Sequence, residues 1–415
     1  MKWSPQQERA LSKVRTWLRS DQQVFRLFGH AGTGKTSLAK AIADLISGLV
    51  LYGAYTGKAA SVLQDKGCRG ATTIHSMIYT SREYGKTKLL ELEEALDGLI
   101  AELKEEYKTT SKYKYKNAMK YLANHKGVKN LRKLIQIETD ALSEPYFILN
   151  SDSMAKDADL IIIDECSMVN KKIGEDLLSF GVKVLVLGDP AQLPPVRDNG
   201  YFTENVTPDV MLDEIHRQAA ENPIIHLATL ARTKQPIPLG EYGSSYVRAA
   251  VPEMASFSWA DQVLCGRNKT RHAINHFMRE NMCISDPLPI AGEKVICGRN
   301  NHDKGLLNGV IYTVDHVVNS MGHKVFMRLL DSNGGMFEVC SHDHYFLGKE
   351  EDLKWFEERE AEKFDFGYAI TTHKAQGSQW PHVVLRDESS AFRDKSHRWL
   401  YTAITRASLS VRIYR

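Results

Sequence analysis

The sequence predicts an α/β protein with at least two domains, and three observations lead to this fold class. The chain has 415 residues, which is more than one hydrophobic core usually serves. Short apolar runs bounded by Gly or Asp alternate with helical patterns, as buried parallel strands alternate with crossover helices. One such run leads through a glycine-rich loop directly into a helical pattern. Together these patterns indicate parallel sheets covered by helices.

The composition excludes several classes of protein. Hydrophobic residues make up 43% of the chain and charged residues 25%, as in globular proteins. No apolar run reaches the roughly 18 residues of a membrane span, and the start, MKWSPQQERA, has no apolar signal core. We therefore expect a cytoplasmic protein with no membrane partner. The net charge of +3 is nearly neutral, so a polyanion would have to meet local basic patches.

The cysteines give no sign of a metal or disulfide framework. They are scattered without a C-x-x-C pair, which argues against a structural zinc site and for reduced thiols. The six are Cys68, Cys166, Cys265, Cys283, Cys297 and Cys340.

The first predicted element is a capped helix. Ser4 is placed as its cap, Pro5 as its first residue and Gln7 three positions after the cap. The runs VFRLFG, LVLYGAYT, LIIIDE and VKVLVLGD follow as predicted buried strands, with helical patterns between them.

Two segments interrupt this alternation. Residues 81–150 are polar and mostly helical in pattern, and within them Tyr107 to Lys133 carry nine Lys or Arg and no acid. That basic stretch suits phosphate contact and base stacking, or else a helical hairpin neutralised by the acidic run from Glu91 to Glu106. Residues 286–346 alternate apolar runs with Gly, Asn and Asp turns, which indicates a small, barrel-like β module.

The glycine-rich loop GHAGTGKT has the G-x-x-x-x-G-K-[ST] spacing between a strand and a helix. Backbone amides of such a loop and the following helix N-terminus bind phosphate oxygens. Lys35 is predicted to reach the β- and γ-phosphates, and Thr36 to offer its hydroxyl to Mg²⁺. The alternative is a glycine-rich turn without a ligand. The predicted phosphate-binding residues are Gly29, Ala31, Gly32, Thr33, Gly34, Lys35 and Thr36.

Two later strands end in polar residues that complement this loop. Asp164 and Glu165 follow LIII, at the sheet edge where open α/β proteins bind ligands. Asp164 is predicted to hold Mg²⁺, and Glu165 to orient and deprotonate the attacking water. Gln192 follows the strand VKVLVLGD in a proline-stiffened turn, where its amide can sense a γ-phosphate. The alternatives are solvated strand ends and an ordinary loop amide.

The order of the motifs is similar to that of a known family. GHAGTGKT, AYTGKAAS, TTIHSMIY, IIIDECSM, LGDPAQLPPV, EIHRQ, AITTHKAQGSQW and YTAITRA follow one another along nearly the whole chain. This succession resembles the superfamily 1 helicases, and within them the B class of RecD and phage Dda type. The resemblance implies an α/β fold of two RecA-like P-loop NTPase domains, with ATP in the cleft between them.

The resemblance also implies a domain division. The first RecA-like domain would comprise residues 1–80 and 151–204, with a helical and hairpin insertion at 81–150. The second would comprise 205–285 and 347–415, with an SH3-like β insertion at 286–346. In the first insertion Tyr146 or Phe147 is a candidate stacking wedge for the duplex fork, with a buried core aromatic as the alternative.

Further nucleotide contacts follow from the resemblance. Gln7 would read the adenine edge, although a capping-box glutamine is an adequate alternative. Arg406 would point across the cleft at the γ-phosphate as an arginine finger, and Arg217 matches the family's other arginine there. For each arginine the alternative is an internal salt bridge. Gln376 and Gly377 would lie close to the nucleotide.

The remaining motifs match family segments that touch the nucleic-acid strand. The alternatives are helix capping for the threonines, structural histidines, and an ordinary Asn-Gly hairpin turn. The candidate strand contacts are Thr56, Lys58, Thr73, His75, Asn308, Gly309, Thr372, His373 and Lys374.

The expected function is that of an ATP- and Mg²⁺-dependent DNA helicase moving 5′ to 3′ on single-stranded and forked DNA. The polarity comes only from the resemblance, and a monomer with unidentified protein partners is expected. Two alternatives stay open: an RNA or RNA–DNA helicase of the same superfamily, and a nucleotide-switched binding module that does not unwind.

Overall fold

The structure is a computed structural model. It describes residues 3–81, 84–110, 122, 125–143, 147–195, 199–204, 206–214, 222–301, 304–332, 334–353 and 355–415. The chain forms two compact units. The core unit comprises Met1–Met77 and Met154–Arg415, and the inserted unit comprises Ile78–Ser153. Among the described helices, none has the length and hydropathy required to cross a membrane.

The strands account for three sheets and one two-stranded ribbon. In chain order they are β1 Val24–Gly29, β2 Val50–Ala54, β3 Thr72–Thr73, β4 Tyr79–Ser81, β5 Phe147–Leu149, β6 Leu160–Asp164, β7 Val184–Gly188, β8 Val210–Leu212, β9 Gly240–Tyr242, β10 Ser245–Arg248, β11 Gln262–Cys265, β12 Lys294–Cys297, β13 Ile311–Met321, β14 Lys324–Leu330, β15 Met336–His342, β16 Phe364–Phe366, β17 Ala369–Thr371, β18 Trp380–Arg386 and β19 Ala407–Tyr414.

The helices lie mostly between strands, as parallel sheets require. In chain order the described α-helices are α1 Pro5–Leu18, α2 Lys35–Ala43, α3 Gly57–Asp65, α4 Ile74–Ile78, α5 Tyr84–Thr110, α6 Lys126–Ser143, α7 Lys171–Leu178, α8 Pro223–Arg232, α9 Met254–Trp259, α10 Asn268–Asn281, α11 Asp343–Phe346, α12 Trp355–Glu360 and α13 Ser396–Ile404.

The first sheet has the strand order β3-β2-β6-β7-β1-β8, and every pairing in it is parallel. Its central strands β6 and β7 are apolar up to the Asp164 that ends β6, because helices cover both faces of such a sheet. On one face Val14 and Trp17 of α1 and Leu38 of α2 pack against strand residues such as Leu27 and Leu187. Since β6, β7 and β1 are neighbours, the loops after them meet at one edge of the sheet.

The second sheet has the order β17-β11-β18-β19-β10-β9. It is parallel except for the β9–β10 pair at one edge. Helices α8 and α13 pack on it, with Trp399 and Ile404 fully buried against Val383 and Val411. The predicted α/β class is therefore confirmed. The core unit has two halves, which we call the first half and the second half after the first and second sheets that they contain.

The β module is an antiparallel sheet of order β15-β14-β13-β12-β16. Strand β16 lies beyond the predicted end of this module at residue 346. It joins the sheet because Phe364 and Phe366 pack into the core of the module together with Val295 and Tyr312. The module thus includes a strand from the segment that leads into β17 of the second sheet.

The inserted unit contains two long helices and a short ribbon. Leu103 of α5 and Val128 of α6 form a buried cluster together with Leu122, and β4 pairs with β5 in antiparallel fashion. The candidate wedge Tyr146 lies outside the described residues, and so does much of the basic stretch, including residues 111–121. The described start of β5 is Phe147, the other wedge candidate.

Candidate functional site

The predicted phosphate loop joins β1 to α2. Gly32 and Gly34 have φ angles of 81° and 80°, a left-handed conformation that residues with a Cβ adopt rarely. Lys35 is the first residue of α2, and its Nζ donates to the carbonyl oxygens of Gly29 (2.7 Å) and His30 (3.1 Å). The ammonium group is therefore held across the mouth of its own loop, where phosphate oxygens would replace the carbonyls.

Thr36 and Asp164 lie together, although 128 positions separate them in the chain. The Thr36 hydroxyl donates to Asp164 Oδ2 at 3.2 Å, and the backbone N–H of Glu165 donates to Asp164 Oδ1 at 2.8 Å. A hydroxyl and a carboxylate oxygen at this spacing are hard oxygen ligands, the kind that Mg²⁺ prefers beside a nucleotide. The residues present thus fit the ion that the fold implies.

Glu165 occupies a strained backbone position directly after β6. Its φ and ψ are 52° and 42°, which is uncommon for a residue other than glycine and often marks a functional site. Burial raises the pKa of its carboxyl and the Asp164 charge raises it further, whereas the charges of Arg406 and Lys35 oppose this shift. A carboxylate with a raised pKa is a better acceptor for the proton of water.

A hydrogen-bonded group that the sequence did not predict spans the cleft. The Tyr401 hydroxyl, on α13 of the second half, donates to Asp189 Oδ2 after β7 and accepts the backbone N–H of Ala31 at 3.2 Å. His30 Nδ1 lies 3.3 Å from the other oxygen of Asp189. Burial alone would raise the pKa of Asp189, but the hydrogen bonds from His30 and Tyr401 and the charge of Lys35 hold that pKa below its ordinary value.

Gln192 lies beside this group with an unsatisfied oxygen. Its side chain is 5% exposed, and among the described residues its Oε1 has no hydrogen-bond partner. The next residue is bonded to the second half twice: Leu193 N–H donates to Thr402 Oγ1 (3.0 Å), and Gln376 Nε2 donates to Leu193 O (2.9 Å). A buried, orphaned amide oxygen in a loop held from both sides is suited to respond to a ligand in the cleft.

Arg406 is buried and held by neutral oxygens. Its guanidinium donates to Thr402 O (3.0 Å), Ser378 O (3.1 Å) and Thr405 Oγ1 (3.1 Å), and it is 5% exposed. Within the described part of the chain, no carboxylate lies at ion-pair distance from it, so the alternative of an internal salt bridge gains no support. Its charge instead acts on the pKa of Glu165.

The structure gives Gln7 the capping-box role and a contact with the phosphate loop. Gln7 Oε1 accepts the Ser4 N–H at 3.0 Å, and Gln7 Nε2 donates to Thr33 O at 3.1 Å. Contact with adenine stays a prediction. Arg217 lies outside the described residues, so its predicted role at the cleft also stays a prediction.

Most of the predicted strand contacts line one cavity of about 570 Å³ in the core unit, which we call the strand groove. It collects residues from the first half, the second half and the β module. They are Tyr55, Thr56, Lys58, Met168, Asn170, Pro195, Gly298, Asn308, Gly309, His373, Lys374 and Gln376.

Gly377 brings the two halves together beside the groove. Its φ is 77°, and a Cβ on it would lie 2.9 Å from Ala59 Cβ and 3.0 Å from Thr56 Oγ1. Only glycine meets both conditions without displacing α3. Thr56 in turn caps α3, since its hydroxyl accepts the Ala59 N–H at 3.2 Å.

Three predicted strand contacts do not line the groove. Thr73 is 2% exposed and its hydroxyl accepts the Ser76 N–H at 3.1 Å, while Thr372 is 0% exposed and donates to Cys265 O at 3.3 Å. Both hydroxyls thus form hydrogen bonds to the backbone in this structure, and their contact with the strand stays a prediction. The His75 ring packs edge-on against Tyr55, with 5.8 Å between ring centroids.

Two of the basic residues of the groove, His373 and Lys374, are partly desolvated. Burial, followed by the charge of Arg271, lowers the pKa of Lys374 to about 8. Burial, followed by the charge of Lys395, lowers the pKa of His373 as well. Burial in the groove disfavours the charged form of these two groups. An anionic ligand would favour the charged form again, so the groove is suited to bind one.

Sequence reasoning missed Tyr401, His30, Tyr55 and Asn170. His30, Tyr55 and Tyr401 lie inside the quoted motifs and Asn170 lies two positions after one, but a tyrosine beside an apolar run is equally typical of a core residue. Only the three-dimensional pairing of Tyr401 with Asp189 distinguishes a cleft residue from a packed aromatic.

Comparison with known families agrees with this geometry. A family model described as an AAA domain matches residues 2–243, and one described as a UvrD-like helicase C-terminal domain matches residues 366–414. The first of these covers the phosphate loop, Asp164, Glu165 and Gln192, and the second covers Gln376 and Arg406.

Two curated relatives are similar in sequence. The ATP-dependent RecD2 DNA helicase of Deinococcus radiodurans is 27% identical over 411 residues, covering 92% of this chain and 45% of the relative. An uncharacterized protein of Acanthamoeba polyphaga mimivirus is 25% identical over 218 residues, covering 48% of this chain and 35% of the relative. The chain thus spans less than half the length of the curated relatives it matches.

Solved structures share the fold. A Pif1 helicase described in work on DNA unwinding at forked double-stranded DNA has 16% identity and a TM-score of 0.53, covering 99% of this chain and 92% of that one. The Pif1 helicase of Candida albicans has 17% identity and a TM-score of 0.51, covering 100% and 94%. The two RecA-like domains predicted from the motifs are therefore confirmed. With an AAA domain over residues 2–243, more than half of the chain, followed by a UvrD-like helicase C-terminal domain, the chain belongs to the RecD-like B class of the superfamily 1 helicases.

Proposed function

We propose that the protein is an ATP-dependent DNA helicase that moves 5′ to 3′ along single-stranded DNA. One observation carries this proposal: a single turn, His373 to Gly377, belongs to both candidate sites. His373 and Lys374 line the strand groove, and Gln376 is bonded to Leu193 beside the orphaned amide of Gln192. A change at the nucleotide can therefore reach the strand through two peptide units.

The residues of the cleft have distinct parts in ATP hydrolysis. Glu165 orients the attacking water and accepts its proton, and Lys35 and Arg406 place positive charge beside the transferring phosphoryl group. Thr36 and Asp164 would hold Mg²⁺, which supplies charge neutralisation on the phosphate oxygens. Gln192 would use its free Oε1 on the γ-phosphate side.

Binding of ATP has to rearrange two contacts of this structure. The Ala31 N–H that phosphate requires is bonded to Tyr401, and Lys35 is bonded to its own loop. Phosphate oxygens would replace both partners, so α13 of the second half would respond to occupancy of the first. Alternate closing and opening of the cleft would then shift Lys58 relative to His373 and Lys374 and advance the strand.

The similar proteins support DNA as the nucleic acid that is bound and ATP as the nucleotide that is hydrolysed. The similar RecD2 protein is named an ATP-dependent DNA helicase, and solved Bacteroides Pif1 structures contain single-stranded DNA, one of them with ADP-AlF3 as well. Single-stranded and forked DNA as partners, Mg²⁺ as the ion, a monomeric state and a cytoplasmic location belong to the proposal. The compact unit Ile78–Ser153 supports the proposal that residues 81–150 form a separate insertion in the first RecA-like domain.

The strand-stimulated ATPase activity tests the proposal. We expect single-stranded DNA to raise the ATPase rate well above that with RNA of the same sequence, and Glu165→Gln to lower kcat by about two orders of magnitude while nucleotide still binds. Stronger stimulation by RNA would favour the RNA helicase. ATP-dependent strand binding with little stimulated turnover would favour the binding module.

A further inference from the structure

Three histidines and one aspartate cluster at one end of the β module. His323 lies in the turn between β13 and β14, and His342, Asp343 and His344 lie where β15 passes into α11. None of the four lines the strand groove or contacts the phosphate loop, so the proposed helicase activity leaves them unexplained.

The backbone of the module brings these residues together. Strands β14 and β15 pair in antiparallel register with Lys324 opposite His342, and the Asp343 N–H donates to His323 O at 2.9 Å. The pairing of β14 with β15 therefore brings His323, which precedes β14, close to Asp343 and His344, which follow β15 about twenty positions later.

The Asp343 carboxylate is at the centre of the cluster. Its Oδ2 lies 3.0 Å from His323 Nδ1, and its Oδ1 lies 2.7 Å from His344 Nδ1. One ligand atom from each of these three residues lies within 4.8 Å of the others. Ligand atoms around a tetrahedral Zn²⁺ with bonds of about 2.0–2.1 Å are about 3.3 Å apart, so small side-chain rotations suffice to form such a site.

His342 is a buried neighbour that contacts all three of these residues. Its ring is 4% exposed and stacks on His323 with 5.5 Å between centroids, and its Nδ1 accepts the His344 N–H at 3.3 Å. The same nitrogen lies 3.0 Å from Asp343 Oδ1. An acceptor nitrogen that faces a carboxylate oxygen is repelled by it, and a cation bound beside Asp343 would remove that repulsion.

We propose that His323, Asp343 and His344 bind a divalent transition-metal ion, with Zn²⁺ as the best match. Two imidazoles and one carboxylate suit Zn²⁺, whereas Mg²⁺ prefers oxygen ligands alone. Water would complete the coordination, since the His323 side chain is 66% exposed. The ion would tie the β13–β14 turn to the start of α11 and stiffen that end of the module.

Isothermal titration of the full chain with ZnCl₂ tests this proposal, after removal of any affinity tag and of bound metal. We expect one equivalent of Zn²⁺ to bind the wild-type chain, and His323→Ala and Asp343→Asn each to weaken that binding at least about tenfold. His316→Ala is the matched control, because His316 is an exposed histidine beside an aspartate in the same module. It should bind Zn²⁺ as the wild type does.

Thermal melting gives a second measurement. Zn²⁺, but not Mg²⁺, should raise the Tm of the wild type and of His316→Ala and leave that of His323→Ala unchanged. The proposal is overturned if the wild-type chain binds no equivalent of Zn²⁺, or if His323→Ala binds it as tightly as the wild type. Because His323 is exposed, its replacement should leave the Tm of the metal-free protein close to that of the wild type.

Discussion

Arg406 illustrates how a single residue connects the sequence to the chemistry. A guanidinium buried in an apolar helix end is costly unless its N–H groups find acceptors. Here they find two carbonyl oxygens and a hydroxyl, which satisfy hydrogen bonding and leave the charge without a nearby carboxylate in the described part of the chain. Such an arginine is held in a fixed orientation, and its positive charge stays available to act on a phosphate group.

Replacement of Arg406 should therefore affect turnover more than folding. We expect Arg406→Ala to lower the DNA-stimulated kcat by about 10³ with little change in ATP affinity. Arg406→Lys should restore little of this activity, because an ammonium group lacks the planar fork. Steady-state ATPase kinetics measure both.

The control for this prediction is Arg415→Ala, which removes another hydrogen-bonded arginine of the second half, paired with Asp387 at 2.9 Å. It should lower the Tm without a comparable loss of kcat. If Arg406→Ala hydrolyses ATP normally and only melts earlier, Arg406 is structural.

Tyr401 is predicted to compete with ATP for the phosphate loop. Tyr401→Phe frees the Ala31 N–H and deprives buried Asp189 of a donor. We expect a loss of about 1 kcal/mol in the free energy of unfolding, together with an ATP Kd lowered about fivefold. Denaturant unfolding and nucleotide titration measure the two effects.

Tyr242→Phe is the matched control, since it removes a tyrosine hydrogen bond (to Pro238 O, 2.8 Å) on the exposed surface. It should leave the ATP Kd unchanged. A weaker ATP affinity in Tyr401→Phe would show that the hydroxyl assists nucleotide binding and would contradict the competition.

At the scale of elements, local patterns predicted the parts that local chemistry determines. The strand–loop–helix context identified the phosphate loop, and strand ends placed Asp164 and Glu165 at the same edge. Long-range contacts escaped prediction: Tyr401 meets Asp189 across 212 positions, and β16 joins the β module through a pairing with β12 that its own sequence does not indicate. The environment of Lys374 was equally hidden, because burial of a charged motif residue depends on packing from other elements.

The turn that carries Lys374 should make strand binding depend on pH. Burial is the main cause that lowers the pKa of its ammonium group to about 8, and the charges of Arg271, Asp365, Lys363 and Glu350 also act on it, so the group is charged at pH 7 and mostly neutral at pH 9. Phosphate contact favours the charged form, so binding above pH 8 takes up a proton. We expect affinity for single-stranded DNA to fall about tenfold from pH 7 to pH 9.

Lys374→Arg tests the origin of this dependence, since arginine stays charged over the whole range. Its DNA affinity, measured by fluorescence anisotropy at constant ionic strength, should change little between the two pH values. A fall equal to that of the wild type would mean that another group titrates.

At the scale of the whole molecule, the core unit contains two predominantly parallel sheets, whose loops form the proposed nucleotide site, and a β module that contributes residues to the strand groove. The inserted unit adds two helices and a ribbon between Ile78 and Ser153. The arrangement accounts for directional movement if each cycle of ATP hydrolysis alters the grip of one half on the strand before that of the other.

Unwinding of tailed duplexes tests this account most directly. Two DNA duplexes of identical sequence, one with a 5′ single-stranded tail and one with a 3′ tail, are incubated with the protein, ATP and Mg²⁺, and strand separation is followed by fluorescence. We predict rapid separation of the 5′-tailed duplex, little separation of the 3′-tailed one, and neither with Arg406→Ala. Preferential unwinding of the 3′-tailed duplex, or no ATP-dependent unwinding of either by the wild type, would contradict the account.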